Sequence, residues 1–213
     1  MRAQFLFALP KGRLGESLQK RLANTLLEPV VSPDNPRALT FATKHPAVTV
    51  VWLKGRDLLR YVASGAATFG VVGSDVLVES DEDVLELDDL RFGACKLCLA
   101  APNGVTEEQL RQTNHLKLAT KYVRATAAWL EREQLTAELV HIESSVEIAP
   151  KLGLAHAIVD LVQTGETLRA NELSVLRDID AVSARLVMNR AAYLTHRDDL
   201  RPIVALISEA AQR

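Results

Sequence analysis

The sequence predicts an α/β fold. Two observations carry this. Short apolar runs of strand length alternate along the chain with segments whose apolar residues recur at helical spacing. Turn-forming residues punctuate the joins between them. The composition agrees with a folded chain able to bury a large core: 213 residues, 48% apolar and 24% charged.

The elements follow in order. Residues 4–9 are a first buried strand. They are too short for a secretory h-region, lack a small-residue cleavage site and run into Pro10-Lys11-Gly12-Arg13. Leu14, Leu18, Leu22 and Leu26 predict a helix over 14–26, and residues 31–36, with Pro33 and Pro36, are a loop. Residues 39–43 and 48–53 read as strands flanking a Lys44-His45-Pro46 turn. A helix over 56–64, a buried strand over 69–73 and a short helix over 75–79 come next. The acidic stretch 80–89 is either a domain boundary or a solvated loop. Further strands are expected within 92–101 and at 116–120, 137–142, 157–162, 175–179 and 185–188. Helices are expected at 123–133, 146–152 and 199–212, the last amphipathic.

Several function classes are excluded early. With 25 Lys+Arg against 27 Asp+Glu the chain lacks the basic footprint of a nucleic-acid binder. No run approaches the roughly 18 apolar residues of a membrane span, and without an export signal the cytoplasm is the expected compartment. Cys95 and Cys98 form a C-x-x-C, but within a strand, where residues three apart point to opposite faces. They read as buried reduced thiols. The five histidines show no ligand spacing, so no protein-built metal site is expected.

The segment 157–168 carries the most chemistry. An apolar strand ends around Asp160, and Thr164-Gly165-Glu166-Thr167 opens a helix. A helix start offers unpaired N–H groups and partial positive charge, glycine permits close approach, and threonine adds hydroxyl donors. These suit a phosphate, while Asp160 suits sugar hydroxyls. A plain strand, turn and Thr cap is the other reading. Lys11-Gly12-Arg13, Lys54-Gly55-Arg56-Asp57 and Gly73-Ser74-Asp75 are further strand–helix junctions. Open α/β sheets bind ligands at such carboxyl ends. Arg37 is a cation at the end of the Pro-rich loop. Lys121-Tyr122 and Ser145-Val146-Glu147 stand at similar positions, although helix capping and dipole compensation also account for Ser145 and Glu147.

Taken in order, these segments resemble the short form of ATP phosphoribosyltransferase, the first enzyme of histidine biosynthesis. The matching stretches include Ala8-Leu9-Pro10-Lys11-Gly12-Arg13-Leu14, Phe69-Gly70-Val71-Val72-Gly73-Ser74-Asp75, Ala119-Thr120-Lys121-Tyr122 and Ser145-Val146-Glu147-Ile148-Ala149-Pro150. The strongest runs from Ile158-Val159-Asp160 through Thr164-Gly165-Glu166-Thr167-Leu168-Arg169-Ala170-Asn171, followed by Ser183-Ala184-Arg185-Leu186. The resemblance covers nearly the whole chain. It departs from the family pattern at Leu59, where Pro is usual, at Thr68, where an acid is usual, and at Ser144 and Glu172, where Gly is usual.

The resemblance implies a two-lobed, periplasmic-binding-protein-like (type II) α/β fold with the active site in the interlobe cleft. It implies a discontinuous first lobe, 1–89 plus 176–213, and a second lobe, 90–175. It implies condensation of ATP with phosphoribosyl pyrophosphate to N1-(5-phosphoribosyl)-ATP and pyrophosphate, with Mg²⁺ held mainly by substrate. By the same route Thr164, Gly165, Glu166, Thr167 and Leu168 hold the 5-phosphate and Asp160 the ribose hydroxyls. Lys11, Arg13 and Arg37 act on the reacting phosphates. Lys54, Gly73, Ser74, Lys121, Tyr122 and Glu147 line ATP or shared phosphates. The expected partner is a regulatory subunit resembling histidyl-tRNA synthetase, in a hetero-octamer with dimers of the catalytic chain. The length matches a form without the C-terminal regulatory domain of the long enzymes, so feedback control is expected from another chain. The competing expectation is a non-catalytic small-anion binding or effector-sensing module of the same fold.

Overall fold

The computed structural model describes residues 4–30 and 39–212. The chain divides into two compact units, Met1–Gly93 with Ser183–Arg213, and Ala94–Val182.

The first unit holds β1 (Phe5–Pro10), α1 (Arg13–Leu22), β2 (Thr40–Ala42), β3 (Val48–Leu53), α2 (Gly55–Ala63), β4 (Phe69–Gly73), α3 (Ser74–Val78) and β5 (Leu85–Asp89). The second unit holds β6 (Cys95–Pro102), α4 (Glu107–Gln112), β7 (Lys117–Thr120), α5 (Val123–Arg132), β8 (Glu138–His141), β9 (Ala157–Val162), α6 (Glu166–Ala170) and β10 (Leu173–Val182). The chain then returns to the first unit for β11 (Ala184–Met188), α7 (Arg190–Thr195) and α8 (Arg197–Ala211).

In the first unit six strands are ordered β2-β3-β1-β4-β11-β5. β1 runs parallel to β3 and β4, and β2, β11 and β5 run antiparallel to their neighbours. The sheet is covered on both faces, which is why β1 and β4 read as unbroken apolar runs. Phe7, Leu9, Phe69 and Val71 meet Leu18 and Leu22 of α1 and Ile203 and Ile207 of α8 on one face. Ala8, Val51, Val72 and Val187 meet Leu58, Leu59 and Val62 of α2 on the other. Leu59 is fully buried in α2. Thr68 accepts a hydrogen bond from the Leu6 N–H at 3.1 Å through its hydroxyl, so it still offers an acceptor where the family carries an acid.

The second unit has five strands ordered β10-β6-β9-β7-β8. β7, β8 and β9 are mutually parallel, while β6 and β10 are antiparallel additions. Leu97, Leu99, Leu118 and Val159 pack against Trp129 and Leu130 of α5 on one face. Ala100, Ala119 and Ile158 pack against Val146, Ala149 and Leu168 on the other.

The structure differs from the sequence-based expectations at several elements. The first helix stops at Leu22 rather than continuing to Leu26. Asn24 takes a left-handed φ of 62°, and the Thr25 hydroxyl donates to the Leu22 carbonyl, so the chain turns and leaves Leu26 half exposed. The acidic stretch 80–89 is not all loop. It contains β5, an edge strand whose Leu85 and Leu87 alternate with Glu86 and Asp88. The helix expected over 146–152 is a single 3₁₀ turn, Val146–Ile148. β10 runs through Val182, longer than the 175–179 expected, and two register shifts bend it against β6. It belongs entirely to the second unit, so the units divide at 93/94 and 182/183, compared with 89/90 and 175/176 from the sequence.

α4 and α7 escape the periodicity reading because each is only six residues. Their caps specify them instead. Thr106 and Gln109 form a reciprocal capping box on α4. Asn189, 8% exposed, accepts from the Ala192 N–H at 2.9 Å to cap α7 and donates to the Val62 and Ala63 carbonyls at the end of α2. Cys95 and Cys98 form no disulfide; Cys98 is buried as expected, and Cys95 is only partly so. Burial pushes the Cys98 thiol up to about 12, with Asp178 adding to the effect, so it is neutral and inert.

Candidate active site

Two sheet edges collect the chemistry, one in each unit. In the first unit the parallel register of β1 with β3 and β4 puts the carboxyl ends of all three strands on one edge. Lys11 leaves β1 there, its N–H donating to the Leu53 carbonyl at 2.8 Å. Gly12 follows at φ 85° and opens α1, so Lys11, Gly12 and Arg13 stand exposed at the start of a ten-residue helix. Lys54 is the exposed residue preceding α2. Gly73 and Ser74 make the β4–α3 turn. The arrangement sets cations and helix starts side by side, a setting suited to anions.

Ser74 is more committed than its sequence suggests. Its N–H donates to the Ser183 carbonyl at 2.9 Å, and its hydroxyl accepts from the Ser183 N–H at 3.3 Å. The Ser183 hydroxyl in turn donates to Asp89 at 2.8 Å. The Asp75 carboxylate folds back over Gly73, 2.0 Å from where a Cβ on that glycine would sit. Arg37 lies outside the described residues.

In the second unit β7, β8 and β9 place their carboxyl ends on one edge. Lys121 follows β7 in a turn fixed by two buried threonines. Thr120 accepts from the Tyr122 N–H at 2.9 Å, and the Thr126 hydroxyl donates to the Tyr122 carbonyl at 2.6 Å. Tyr122, expected to line ATP or shared phosphates, is 9% exposed. Its side chain is buried in the core with Leu118, Trp129 and Leu130. Ser145 adopts the left-handed conformation, φ 55°, and leads into the turn carrying Glu147. Ser144, where the family's glycine stands, is not among the positive-φ residues.

Asp160 is half-buried near the end of β9, one oxygen accepting the Leu161 N–H at 2.8 Å. Burial pushes its carboxyl up to about 6. The Leu161 hydrogen bond opposes the rise, the Glu147 carboxylate adds to it and Lys121 lowers it. Asp160, Glu147 and Lys121 therefore share one electrostatic neighbourhood. Just beyond, Thr164, Glu166 and Thr167 are exposed, and Gly165 precedes α6 at φ 71°, ψ 8°. That left-handed geometry is one glycine adopts without a Cβ penalty. Leu168 does not reach this edge: its side chain is buried against Ala100 and Ile158, leaving its backbone N–H as its contribution.

Arg169 was not anticipated as a site residue. Its Nη1 donates to the Thr164 carbonyl at 3.2 Å and its main-chain N–H to the Gly165 carbonyl at 3.0 Å. The available signal was its position four residues after Gly165, one helical turn on. Among the described residues no three His, Cys, Asp or Glu side chains gather as metal ligands.

Residues 54–209 match the family model described as ATP phosphoribosyltransferase. The ATP phosphoribosyltransferase of Deinococcus deserti is 43% identical over 205 residues, covering 96% of this chain and 92% of that protein. That of Brachyspira hyodysenteriae is 38% identical, covering 95% and 97%. A chain of the ATP phosphoribosyl transferase (HisG:HisZ) complex from Thermotoga maritima superposes with TM-score 0.80 at 25% identity, over 98% of this chain and 99% of that one. The periplasmic aliphatic sulphonate binding protein SsuA of Escherichia coli, at 13% identity and TM-score 0.65, covers 99% of this chain and 73% of that one and shares the fold. With matches that run along almost its whole length at up to 43% identity, and with the periplasmic-binding-protein fold expected of that family, the chain belongs to the ATP phosphoribosyltransferases.

Proposed function

We propose that this chain is the catalytic subunit that joins ATP to phosphoribosyl pyrophosphate, giving N1-(5-phosphoribosyl)-ATP and pyrophosphate, a pentosyl transfer that opens histidine biosynthesis. The observation that carries the reading is the near full-length identity to ATP phosphoribosyltransferases. The two sheet edges support it, because they offer exposed cations and helix-start N–H groups suited to phosphates.

In this reading the 5-phosphate lies on the Thr164–Thr167 backbone and hydroxyls, with Leu168 contributing its N–H. Asp160 accepts from the ribose hydroxyls. Lys11, Arg13 and Arg37 face the diphosphate, and Lys54, Gly73, Ser74, Lys121 and Glu147 serve ATP or shared phosphates. Tyr122 packs in the core behind this edge. Adenine N1 has a free lone pair, so attack on the anomeric carbon needs no strong base. Positive charge grows on the ribose and negative charge on the departing pyrophosphate. Fixed cations stabilise the leaving group as the bond breaks, and the rest of the catalysis is orientation of two anionic substrates.

The metal we assign is Mg²⁺. The two neighbouring carboxylates Asp160 and Glu147 are too few for an all-protein cage. They suit an ion held chiefly by substrate phosphates and water. When bound, it neutralises diphosphate charge.

We assign the chain to the cytoplasm; among the described residues no helix is long and apolar enough to cross a membrane. We further propose a homodimer of catalytic chains that assembles into a hetero-octamer with a regulatory subunit resembling histidyl-tRNA synthetase. The Thermotoga maritima HisG:HisZ complex supports a hetero-oligomer with a second protein.

The test mixes the chain with ATP, phosphoribosyl pyrophosphate and Mg²⁺, with and without that partner, and looks for phosphoribosyl-ATP by chromatography. Product formation with the partner is expected. Tight phosphoribosyl pyrophosphate binding with no product in either mixture would instead identify a non-catalytic anion-binding module.

A further inference from the structure

Arg169 grips the segment 164–165 in a way that the phosphoribosyl chemistry does not itself require. It sits on α6 one turn beyond Gly165, and helical side chains point back toward the helix start. Its backbone N–H donates to the Gly165 carbonyl at 3.0 Å, and its Nη1 donates to the Thr164 carbonyl at 3.2 Å. The guanidinium also lies over Gly165: a Cβ built there would sit 3.4 Å from Nη1.

A trans peptide points its C=O and N–H in opposite directions. Holding the Thr164 oxygen against Arg169 therefore turns the Gly165 N–H away from the guanidinium. If the 164–165 peptide flipped, a carbonyl dipole would occupy the direction the N–H now takes, and an anion there would be repelled. Gly165 makes such a flip cheap, because glycine populates both signs of φ about equally. The loop therefore contains a peptide whose flip Gly165 makes cheap, and the Arg169 side chain holds its carbonyl.

We propose that Arg169 is a positioning residue that locks the Thr164–Gly165 peptide in its anion-accepting orientation and so sets the affinity for the 5-phosphate of phosphoribosyl pyrophosphate. This rests on the reading of residues 164–167 as the 5-phosphate loop.

The test uses the full chain with its regulatory partner. Steady-state kinetics are measured for wild type, Arg169→Ala, Arg169→Gln and Arg169→Lys, alongside calorimetric titration with ribose 5-phosphate. A charge-assisted hydrogen bond at an exposed position makes the expected effect of Arg169→Ala about a tenfold rise in KM for phosphoribosyl pyrophosphate. kcat and KM for ATP should stay within about twofold. Arg169→Lys keeps a charged donor of nearly the same reach and should recover most of the loss, whereas the amide nitrogen of Arg169→Gln ends where the arginine Nε stands, short of the Nη1 position, and should recover little. Ribose 5-phosphate affinity should follow the same order.

An unchanged KM in Arg169→Ala overturns the proposal. So does an Arg169→Ala penalty that vanishes in about 0.5 M salt, which would mean that the charge itself draws the phosphate. An equal loss in kcat and both KM values with a lowered Tm would mean a general structural role and also overturns it. A wild type that binds ribose 5-phosphate but makes no phosphoribosyl-ATP refutes the proposed reaction, while the variant affinities still decide the role of Arg169. A wild type that does not bind ribose 5-phosphate refutes both.

Discussion

Asp160 is held at a cost to the fold. Burial raises its carboxyl from the ordinary 3.8 to about 6. The folded state therefore favours the neutral acid. The associated stability is full below about pH 4 and is lost as the pH rises to about 6, where the folded carboxyl ionises. By neutral pH that difference amounts to about 3 kcal/mol. Asp160→Asn should therefore stabilise the chain by about 1–3 kcal/mol at pH 7.5, and little at pH 4, because the amide oxygen can still accept the Leu161 N–H. Urea unfolding at the two pH values checks this. The same variant should lose most of its turnover, since a carboxylate is the stronger acceptor for sugar hydroxyls; a fully active Asp160→Asn would remove that residue from the site. A second residue-scale expectation concerns Glu172. It follows α6 at φ 61°, where the helix end favours glycine. Its ion pair with Lys151 spans 3.8 Å between exposed groups and adds little. Glu172→Gly should raise stability by about 0.5–1 kcal/mol, the relief of left-handed strain less the added freedom of the unfolded chain. Thermal unfolding should show a rise of about 1–3 °C. Asp160 and the threonine–glycine segment were legible as a motif because their residue types are unusual at a strand end. The burial of Tyr122 was not, because a phenol beside a lysine has the same pattern whether it packs or binds. Arg169 was equally silent, since an arginine on a short helix usually points to water.

At the scale of elements, periodicity served long pieces and failed short ones. β1, β3, β4 and β9 are apolar runs that could hardly be anything but buried strands. β5 hid behind its charge. It carries one acid-rich side on the edge of the sheet, and Arg185 of the neighbouring strand pairs with Glu86 at 2.9 Å and Asp89 at 3.3 Å. An edge strand needs only half its residues apolar, so net charge concealed the alternation. α4 and α7 are fixed by caps. Asn189 illustrates how much one cap can carry, because it closes the start of α7 and the end of α2 together. Asn189→Ala would leave the Val62 and Ala63 carbonyls without this donor and the Ala192 N–H without its acceptor. A loss of about 1–3 kcal/mol is expected, read as a Tm lowered by roughly 2–12 °C. Thr195→Ala, an exposed hydroxyl bonded only to its own helix, should change Tm by less than about 1 °C. Equal effects from the two variants would show that the cap at Asn189 has no special weight.

For the whole molecule, the alternation of strands and helices announced the α/β class but said nothing about the chain leaving one unit and returning to it. That crossing involves residues far apart in sequence, and only the family resemblance suggested it. The physical record of the crossing is local. The Ala184 N–H donates to the Phe92 carbonyl at 3.0 Å, and Val182 pairs with Cys95 in the β10–β6 ladder. The chain thus enters and leaves the second unit at neighbouring points. That unit is one continuous segment, Ala94–Val182, with its own five-stranded sheet and an apolar cluster on each face. It also keeps its own charged clasp. Arg177 of β10 and Arg111 of α4 share Glu107 and Glu133, at 2.6–3.0 Å, which tie the edge strand and the short helix to the end of α5. The apolar clusters on its two faces are built from its own residues. Expressed alone, 94–182 should therefore fold cooperatively, with dispersed amide resonances and one sigmoidal urea transition. It should also bind ribose 5-phosphate, because Asp160, Lys121, Glu147 and the 164–169 loop are all inside it. The complementary chain, with Gly93 joined to Ser183 through a short glycine linker, should fold as well, since the neighbouring Phe92 and Ala184 are already hydrogen-bonded. A fragment 94–182 that binds hydrophobic dye and lacks a cooperative transition would mean that its cores depend on the first unit. Ribose 5-phosphate binding by the linked complement, and none by 94–182, would assign the sugar phosphate to the other sheet edge.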